Sequence, residues 1–368
     1  MEKISRRHAL GLLGATALSA PFITPARASS GSVNVYNWAD YIGETTLADF
    51  ESSTGITVNY DNFSSVEEMQ AKMLAGSSGY DVVLQSGPQL PVMLEAGIYQ
   101  PLDKTKLSGW SNLDPKILEI LSTWDPGNVY AMPYMWGSVG FAYNAEMLKK
   151  VLPDADLDSL DVLLRPENAA ALARCGVSIL DTPSDVFLMV MKYIGANFDN
   201  PTPADFEAAA KAIAPVRSSI RTFSNTITQQ SLPAGELCFS NTWSGNYGVA
   251  VARSKEAGIK LDLRYMVPET GAPIWIDCWC LPKGAPNILN AHAFVNYMLQ
   301  PEVIAACTNL TTYANANAKA LPFVKKEIAN NPALYPDEMT TSRLFAPTAW
   351  TTEQISQMND VWQQIKFD

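Results

Sequence analysis

Histidine is nearly absent from this sequence, which has two histidines, His8 and His292, in 368 residues. The sequence also contains no CxxC pair, no GxSxG elbow, no GxxxxGKS/T loop and no GxGxxG turn after its first predicted strand. Ligands for a transition metal are therefore scarce, and the sequence predicts neither a metal site nor a cofactor. A hydrolase that uses two carboxylates stays open, because the chain has 37 acidic residues and no spacing singles out a pair.

Long apolar runs are missing from the chain after residue 23. The run over 12–23 is too short for a membrane span, follows the paired arginines at 6–7 and precedes the small-residue sequence ARA. This pattern predicts a signal peptide over 1–28 of the twin-arginine type, with a general secretory signal as the alternative. We expect the mature chain to begin at or next to Ser29 and to be soluble in the periplasm.

Basic residues are outnumbered in this chain. It has 26 lysines and arginines against 37 aspartates and glutamates, which gives a formal net charge of −11. Removal of residues 1–28, which carry a charge of +3, lowers the net charge to −14. Such a protein repels phosphate, so we expect no nucleic-acid partner. The charge suits a cationic ligand, although many exported bacterial proteins are acidic simply for solubility.

Cysteine is scarce and odd in number. The five cysteines are Cys175, Cys238, Cys278, Cys280 and Cys307. An oxidising compartment favours one disulfide or at most two and leaves a thiol unpaired. Cys278 and Cys280 flank Trp279 in a strand-like run and are expected to face the same side of that strand. Their spacing matches neither a redox motif nor a set of zinc ligands.

The first part of the mature chain alternates between strand and helix patterns. Strands are predicted over 33–36, 56–61 and within 76–86. Helices are predicted over 44–53, closed by Gly55, and after a capping box formed by Ser64 and Glu67. This order predicts an α/β fold with a parallel sheet and crossover helices.

The stretch MPYMWGSVGFAYN over 132–144 changes this pattern. Pro133 cannot donate a hydrogen bond within a sheet, so a new alternating strand is predicted to start at Val139. The 368 residues are enough for two domains with separate cores. We therefore interpret the stretch as a passage from one domain to another.

Aromatic residues recur beside polar or acidic residues at the predicted ends of strands. They are Trp38 with Asp40 and Tyr41, Trp243, Trp275 with Asp277, and Tyr313. Open α/β sheets bind ligands at the carboxyl ends of their strands. Aromatic faces attract an ammonium group and pack against methylenes, and carboxylates hold it through charge-assisted hydrogen bonds. A shared pocket at these strand ends is expected to suit an aliphatic amine.

Several motifs carry a resemblance to a known family: VYNWADYI, STGITVNYDNFSSVEEMQAKMLAGSSGYDVV, YQPLDKTKLSGWSNLDP, AMPYMWGSVGFAYN and YANANAKA. They resemble the periplasmic putrescine- and spermidine-binding receptors of bacterial ABC importers, along nearly the whole mature chain. The resemblance implies a two-lobed periplasmic binding protein of type II, a Venus-flytrap fold with an interlobe cleft and crossing hinge strands. We expect lobe 1 over 29–134 and 266–309, and lobe 2 over 135–265 and 310–368.

The resemblance also implies the residues of the ligand site. The family's ligand-binding positions fall on Trp38, Asp40, Tyr41, Ser86, Asp185, Trp243, Asn246, Trp275, Asp277 and Tyr313. The family's paired cysteines fall on Cys175 and Cys238, and we expect the other three cysteines to be buried and unpaired. Hinges are expected near 133–137 and 265–268.

The chain departs from both kinds of receptor at several positions. Ala39, Asn246 and Trp275 replace a serine, an aspartate and a phenylalanine of putrescine receptors. Thr182 and Pro88 stand where spermidine receptors have an acid and a tyrosine. The pocket therefore has fewer acids than either kind of receptor, and Asn246→Asp is expected to improve the binding of a short diamine.

The sequence thus predicts a receptor rather than an enzyme, which captures a polyamine as a monomer and delivers it to a membrane permease of an ABC importer. One alternative is another amine, such as agmatine or the ω-amino acid γ-aminobutyrate. No arginine at the matched positions could meet a carboxylate, which disfavours the amino acid. A further alternative is a hydrolase of a cationic substrate, for which no nucleophile or water-activating pair is found.

Overall fold

The structure is a computed structural model that describes residues 31–76 and 78–367. The predicted signal peptide over 1–28 and its cleavage before Ser29 lie outside the described residues. The strands are Gly31–Trp38 (β1), Ile56–Phe63 (β2), Val82–Ser86 (β3), Tyr99–Gln100 (β4), Ala131–Asn144 (β5), Val177–Ile179 (β6), Thr222–Phe223 (β7), Phe239–Trp243 (β8), Leu263–Met266 (β9), Ala272–Pro282 (β10), Ala314–Asn315 (β11) and Leu344–Phe345 (β12).

Helices separate most of these strands. They are Thr46–Thr54 (α1), Val66–Leu74 (α2), Leu90–Glu95 (α3), Pro115–Leu121 (α4), Ala145–Val151 (α5), Asp161–Leu164 (α6), Pro166–Ala173 (α7), Pro183–Ile194 (α8), Pro203–Ile213 (α9), Thr228–Ser231 (α10), Ser244–Glu256 (α11), Ile288–Met298 (α12), Pro301–Thr311 (α13), Lys326–Ala329 (α14), Glu338–Ser342 (α15) and Thr352–Phe367 (α16).

One mixed sheet connects the two halves of the molecule, in the order β2-β1-β3-β10-β5-β8-β6-β7. β1 pairs in parallel with β2 and with β3, as the alternation of strands and helices predicts. β10 is antiparallel to both β3 and β5 at the middle of the sheet. The α/β class is therefore confirmed, but the sheet is mixed rather than parallel throughout.

The ends of the first two helices follow ordinary capping rules. Gly55 ends α1 in the left-handed region, at φ 72°, and its N–H bonds to the carbonyl of Glu51. The N-cap of α2 is Ser65, whose hydroxyl accepts a hydrogen bond from the N–H of Glu68. The Glu68 carboxylate accepts hydrogen bonds from the N–H and the hydroxyl of Ser64. The prediction of a capping box at Ser64 and Glu67 is therefore wrong by one residue.

The predicted break at Pro133 is also wrong. β5 runs without interruption and is buried along its whole length. Its register against β10 shifts where Pro133 pairs with Cys278, so that Tyr134 has no partner on that neighbouring strand. A bulge of this kind accepts proline in a central strand, because the local ladder does not need its missing N–H group.

Two hydrophobic cores divide the described chain. The first core draws its residues from 33–136 and 274–334, and the second from 139–272 and 350–365. The chain therefore passes between the cores on β5 and returns on β10. It passes a third time at 344–346, a segment whose apolar side chains pack against both cores.

The predicted lobe boundaries and hinges stay predictions, and the two cores add observations to them. Met266 and Val267 pack in the second core, whereas the prediction assigns them to lobe 1. Apolar residues of 314–334 pack in the first core, whereas the prediction assigns them to lobe 2.

Cysteine pairing follows the expectation from the resemblance. Cys175 and Cys238 form a disulfide with their Cα atoms 5.4 Å apart. Cys278, Cys280 and Cys307 are buried and free. Both predictions are confirmed. The bridge ties the chain before β6 to the chain before β8, and these two strands are parallel neighbours in the sheet.

Within 31–76 and 78–367, no helix is both long enough and apolar enough to cross a bilayer.

Candidate functional site

Asp277 lies in the middle of β10, where this strand passes between the cores, and not at a strand end as predicted. It pairs with Ser86 at the end of β3 and with Met135 of β5. Its side chain is 7% exposed and forms no ion pair with any described residue. Burial raises the pKa of this carboxyl to about 7, and the nearby hydroxyls of Tyr41 and Ser86 oppose the rise.

Tyr41 brings the turn after β1 to the same point. Its buried hydroxyl is near enough to Asp277 to favour the charged carboxylate, although the two groups do not reach ordinary hydrogen-bond geometry. The Tyr41 carbonyl accepts a hydrogen bond of 2.8 Å from the hydroxyl of Tyr134. The Tyr41 ring lies edge to face with Tyr134 and Tyr313, at centroid distances of 5.6 and 5.7 Å. Its position is therefore fixed from three sides.

Tyr313 and Trp275 form an aromatic pair whose ring centroids are 5.2 Å apart. Tyr313 precedes β11 and Trp275 lies within β10, so neither ends a strand as predicted. Both rings lie directly against glycine backbone. A Cβ atom on Gly245 would lie 2.0 Å from the Tyr313 ring, and one on Gly137 would lie 2.5 Å from the Trp275 ring. The two glycines were not predicted, and larger residues there would displace both rings.

A second acid, Asp185, lies in the first turn of α8. The indole N–H of Trp243, the last residue of β8, donates a hydrogen bond of 2.8 Å to its carboxylate. Burial raises the pKa of Asp185 to about 6, and the hydrogen bond from Trp243 opposes the rise. Like Asp277, Asp185 has no ion-pair partner among the described residues.

Tyr265 on β9 was predicted as part of a hinge but not as a site residue. Its hydroxyl donates a hydrogen bond of 2.9 Å to the carbonyl of Ser138. Burial raises the pKa of this hydroxyl, the hydrogen bond with Ser138 opposes the rise, and the charges of Tyr313 and Asp185 add smaller contributions to it. Burial, and to a smaller extent the charge of Asp277, also raises the pKa of Tyr313.

Asn246, in the first turn of α11, is buried and uses its whole side chain within the protein. Its Nδ2 atom donates to the carbonyl of Asn225 at 2.8 Å and to the hydroxyl of Thr242 at 3.1 Å. Its Oδ1 atom accepts from the side-chain amide of Gln229 at 2.7 Å and from the hydroxyl of Tyr313 at 3.3 Å. In this structure Asn246 therefore orients Tyr313 and has no unused donor.

Trp38 and Asp40 lie at the edge of the predicted site. Trp38 is partly buried at the end of β1, with its ring centroid 4.4 Å from that of Phe63. Asp40 is exposed and has a left-handed backbone conformation at φ 53°. Neither side chain forms a hydrogen bond or a ring contact with another residue of the predicted set. The contacts of the other predicted residues form two groups, which are Asp185 with Trp243, and Tyr41, Ser86, Asn246, Trp275, Asp277 and Tyr313.

The chemistry of the site follows from its two acids. A buried carboxylate without a cation nearby is costly, so an ammonium group of a ligand would stabilise both. The aromatic faces between them would pack against methylenes and attract the ammonium groups. Within the part of the chain that the structure describes, no group of three or more histidine, cysteine, aspartate or glutamate side chains is arranged to hold a metal ion.

The comparison with protein families identifies the chain. The model for the bacterial extracellular solute-binding proteins matches residues 45–336. The chain belongs to this family. This solute-binding protein is 39% identical over 347 residues to the putrescine-binding periplasmic protein PotF of Escherichia coli (strain K12), with 94% of each chain covered. It is 36% identical over 359 residues to a putrescine/agmatine-binding protein of Pseudomonas aeruginosa, covering 97% of this chain and 98% of the relative.

A solved structure supports the same relationship. The structure of a putative spermidine/putrescine ABC transporter from Listeria monocytogenes aligns with this solute-binding protein at a TM-score of 0.80 and 28% identity. The alignment covers 92% of this chain and 99% of the other. The prediction of a two-lobed periplasmic binding protein is confirmed, as is the resemblance that implied it.

Proposed function

We propose that this protein is a periplasmic receptor that binds a polyamine, an aliphatic diamine of the putrescine type, for uptake by an ABC importer. The observation that supports this most strongly is that two acids, the buried Asp277 and the partly buried Asp185, lie beside aromatic residues and have no ion-pair partner among the described residues. A diamine has one ammonium group for each acid and an apolar chain for the rings between them.

The relatives support the same proposal by their names. PotF is described as a putrescine-binding periplasmic protein, and the Pseudomonas protein as a putrescine/agmatine-binding protein. On this basis we also propose a periplasmic location, a cognate membrane permease as partner, a monomeric state and no catalytic activity. The export signal is proposed to be of the twin-arginine type. An intact mass of the exported protein that corresponds to a chain beginning at or next to Ser29 would support the cleavage site.

An ω-amino acid such as γ-aminobutyrate fits the site less well. Its carboxylate needs a cationic partner, whereas the site presents two acids, the buried Asp277 and the partly buried Asp185. A GABA receptor is among the similar solved structures, but its identity of 20% supports the fold alone. Agmatine, whose far end is a cation, remains compatible with two acids.

Calorimetry with putrescine, cadaverine, agmatine, spermidine and γ-aminobutyrate tests the proposal. Asp277→Asn keeps the shape of the side chain and removes its charge. Loss of one partner of a desolvated ion pair costs about 2–5 kcal/mol, so the affinity for the preferred amine should fall by at least about thirtyfold. Trp275→Phe should cost less and change the preference among amines of different length.

The matched control is Asp360→Asn, which removes the same charge from an exposed position on α16. It should leave the affinity unchanged. If Asp277→Asn binds every amine as tightly as the parent, the ammonium site lies elsewhere and the proposal is wrong.

A further inference from the structure

A cavity of about 350 Å³ lies beside the segment 265–268, where a hinge is predicted, and we call it the hinge cavity. Tyr265 and Ser138 form part of its wall, but neither Asp185 nor Asp277 lines it. Its other walls come from Tyr247 on α11, from the end of β9 and from the segment 331–343. Its volume lies at the lower end of the range typical of sites for small organic ligands.

The polar lining of the hinge cavity is rich in hydrogen-bond donors. Arg343 has a side chain that is 24% exposed, and its guanidinium donates one hydrogen bond of 3.1 Å, to the carbonyl of Val267. It also forms an ion pair with the exposed Asp158 at 3.9 Å, which is beyond hydrogen-bond distance. A guanidinium carries five N–H donors, so most of those on Arg343 have no partner among the described residues.

A second arginine lines the cavity, but an acid already holds it. Arg264 bonds to Asp262 through two hydrogen bonds, of 2.9 and 2.8 Å, and its side chain is 60% exposed. It also lies beside Tyr143, where its charge lowers the pKa of the tyrosine hydroxyl against the larger effect of burial. Asp158 is the one acid among the lining residues. Arg343 is therefore the arginine of the lining whose remaining N–H groups are available to a ligand.

The rest of the lining is apolar or aromatic. Met266, Pro332 and Ala333 contribute aliphatic surface. The rings of Tyr247 and Tyr265 lie 5.6 Å apart and tilted by 38°, which presents flat faces to one side of the cavity. Guanidinium groups bind carboxylates with two parallel hydrogen bonds, and such surfaces pack against a small organic body.

We propose that the hinge cavity binds a small organic carboxylate, with Arg343 as the group that holds its charge. The site is separate from the amine site in chemistry, since it selects the opposite charge. The proposal does not rest on the proposed function, and either can fail without the other.

Fluorine NMR of 4-fluorobenzoate with the mature protein, in the absence of amine, tests the proposal. We expect saturable binding of 4-fluorobenzoate and at least about tenfold weaker binding of 4-fluorobenzamide, which has the same shape without the charge. Inorganic phosphate serves as a third probe. If phosphate displaces 4-fluorobenzoate at equal concentration, the site selects its ligand by negative charge alone. The proposed ligand class, a small organic carboxylate, would then be wrong.

Variants locate the binding. Arg343→Met keeps an apolar stem and should weaken 4-fluorobenzoate at least about tenfold, whereas Arg264→Met should have a smaller effect because Asp262 already holds that guanidinium. Arg174→Met, at an exposed arginine outside the cavity, is the matched control and should bind as the parent does. Asp277→Asn should lose amine binding and keep 4-fluorobenzoate binding.

Two outcomes would overturn the proposal. One is a lack of saturable binding by the parent protein. The other is binding by Arg343→Met and Arg264→Met that equals the parent. Should Arg343→Met fail to fold, the comparison of 4-fluorobenzoate with 4-fluorobenzamide on the parent decides the matter by itself.

Discussion

Burial raises the pKa values of the partly buried Asp185 and of the buried Asp277 to about 6 and about 7. In the ligand-free protein, each acid is therefore more than half protonated when the pH is below its own pKa. An ammonium group beside a carboxylate favours the charged form and lowers the pKa again. Asp185 and Asp277 thus couple the binding of an amine to the release of protons.

This coupling predicts that amine affinity rises with pH between about 5 and 8. At pH 5 binding must displace protons from both acids, whereas at pH 8 both are already charged, so the rise should level off there. Calorimetry at pH 5, 6.5 and 8, in two buffers of different ionisation enthalpy, measures both the affinity and the protons released. Equal affinities at pH 5 and pH 8 would contradict the assignment of these acids.

Removal of the charge of Asp277 is predicted to stabilise the ligand-free protein. The pKa of Asp277 is raised from 3.8 to about 7 in the folded protein, so its charged form destabilises the ligand-free fold. This penalty is absent below about pH 4, grows as the pH rises towards 7 and is complete above it. Asp277→Asn should therefore be more stable than the ligand-free parent at pH 8, by on the order of 3 kcal/mol.

Chemical denaturation at pH 8 and pH 4 measures this difference, which should vanish at the lower pH. Asp360→Asn again provides the control, because its carboxyl is exposed. A ligand-free Asp277→Asn protein that is less stable than the parent at pH 8 would show that Tyr41 and Ser86 stabilise the carboxylate more than burial destabilises it.

Asn246 shows how the structure changes an expectation drawn from the sequence. Asn246→Asp was expected to improve diamine binding by adding an anionic end. In the structure, however, Nδ2 of Asn246 donates to the carbonyl of Asn225, and a carboxylate oxygen there would face that carbonyl. We now expect Asn246→Asp to lower the free energy of unfolding by about 1–3 kcal/mol. Denaturation of the ligand-free variant checks this. If its stability equals that of the parent, the expectation of improved diamine binding by Asn246→Asp stands.

Elements were predicted from the sequence where local patterns decide them. The alternation at the start of the chain predicts β1, α1, β2, α2 and β3, and Gly55 marks the end of α1 because it adopts a positive φ. Pro133 misled the prediction because its place in β5 depends on a bulge against β10, which is more than a hundred residues away in the chain. A local pattern contains no information about such pairing.

The disulfide links two neighbouring elements, because it joins the chain before β6 to the chain before β8. Its two cysteines are separated by 63 residues, and closing a loop of this length stabilises the fold by about 4 kcal/mol in the chain-entropy model. The double variant Cys175→Ser/Cys238→Ser should lose stability of this order in urea denaturation. Addition of a reductant should lower the stability of the parent and leave that of the double variant unchanged.

The local pattern of aromatic and acidic residues predicts seven residues of the candidate site, and the resemblance adds Ser86, Asp185 and Asn246. Trp275, Asp277 and Tyr313 were placed at strand ends, and the structure places them within β10 or before β11. Tyr265 was missed because nothing beside it in the sequence is acidic, and only the pairing of β9 with β5 brings it to the site. Proximity across the whole molecule cannot be read from neighbours in sequence.

The arrangement of two cores joined by three passages predicts closure on ligand binding. Because Asp277 and Tyr41 lie beside the first core while Asp185 and Trp243 belong to the second half, one diamine would draw the halves together. Small-angle scattering should show a smaller radius of gyration with putrescine, and no change for Asp277→Asn at the same concentration. An unchanged radius in the saturated parent would contradict a closing clamp.

The interrupted first core has a consequence for how the protein is made. Synthesis supplies residues 33–136 of this core, then the whole middle of the chain, and only later 274–334. The second core is completed later still, because Trp350 and Trp362 belong to it. A ribosome-bound chain therefore exposes apolar surface from both halves until its last helix has emerged. Completion of both cores is thus expected only after α16 has been synthesised.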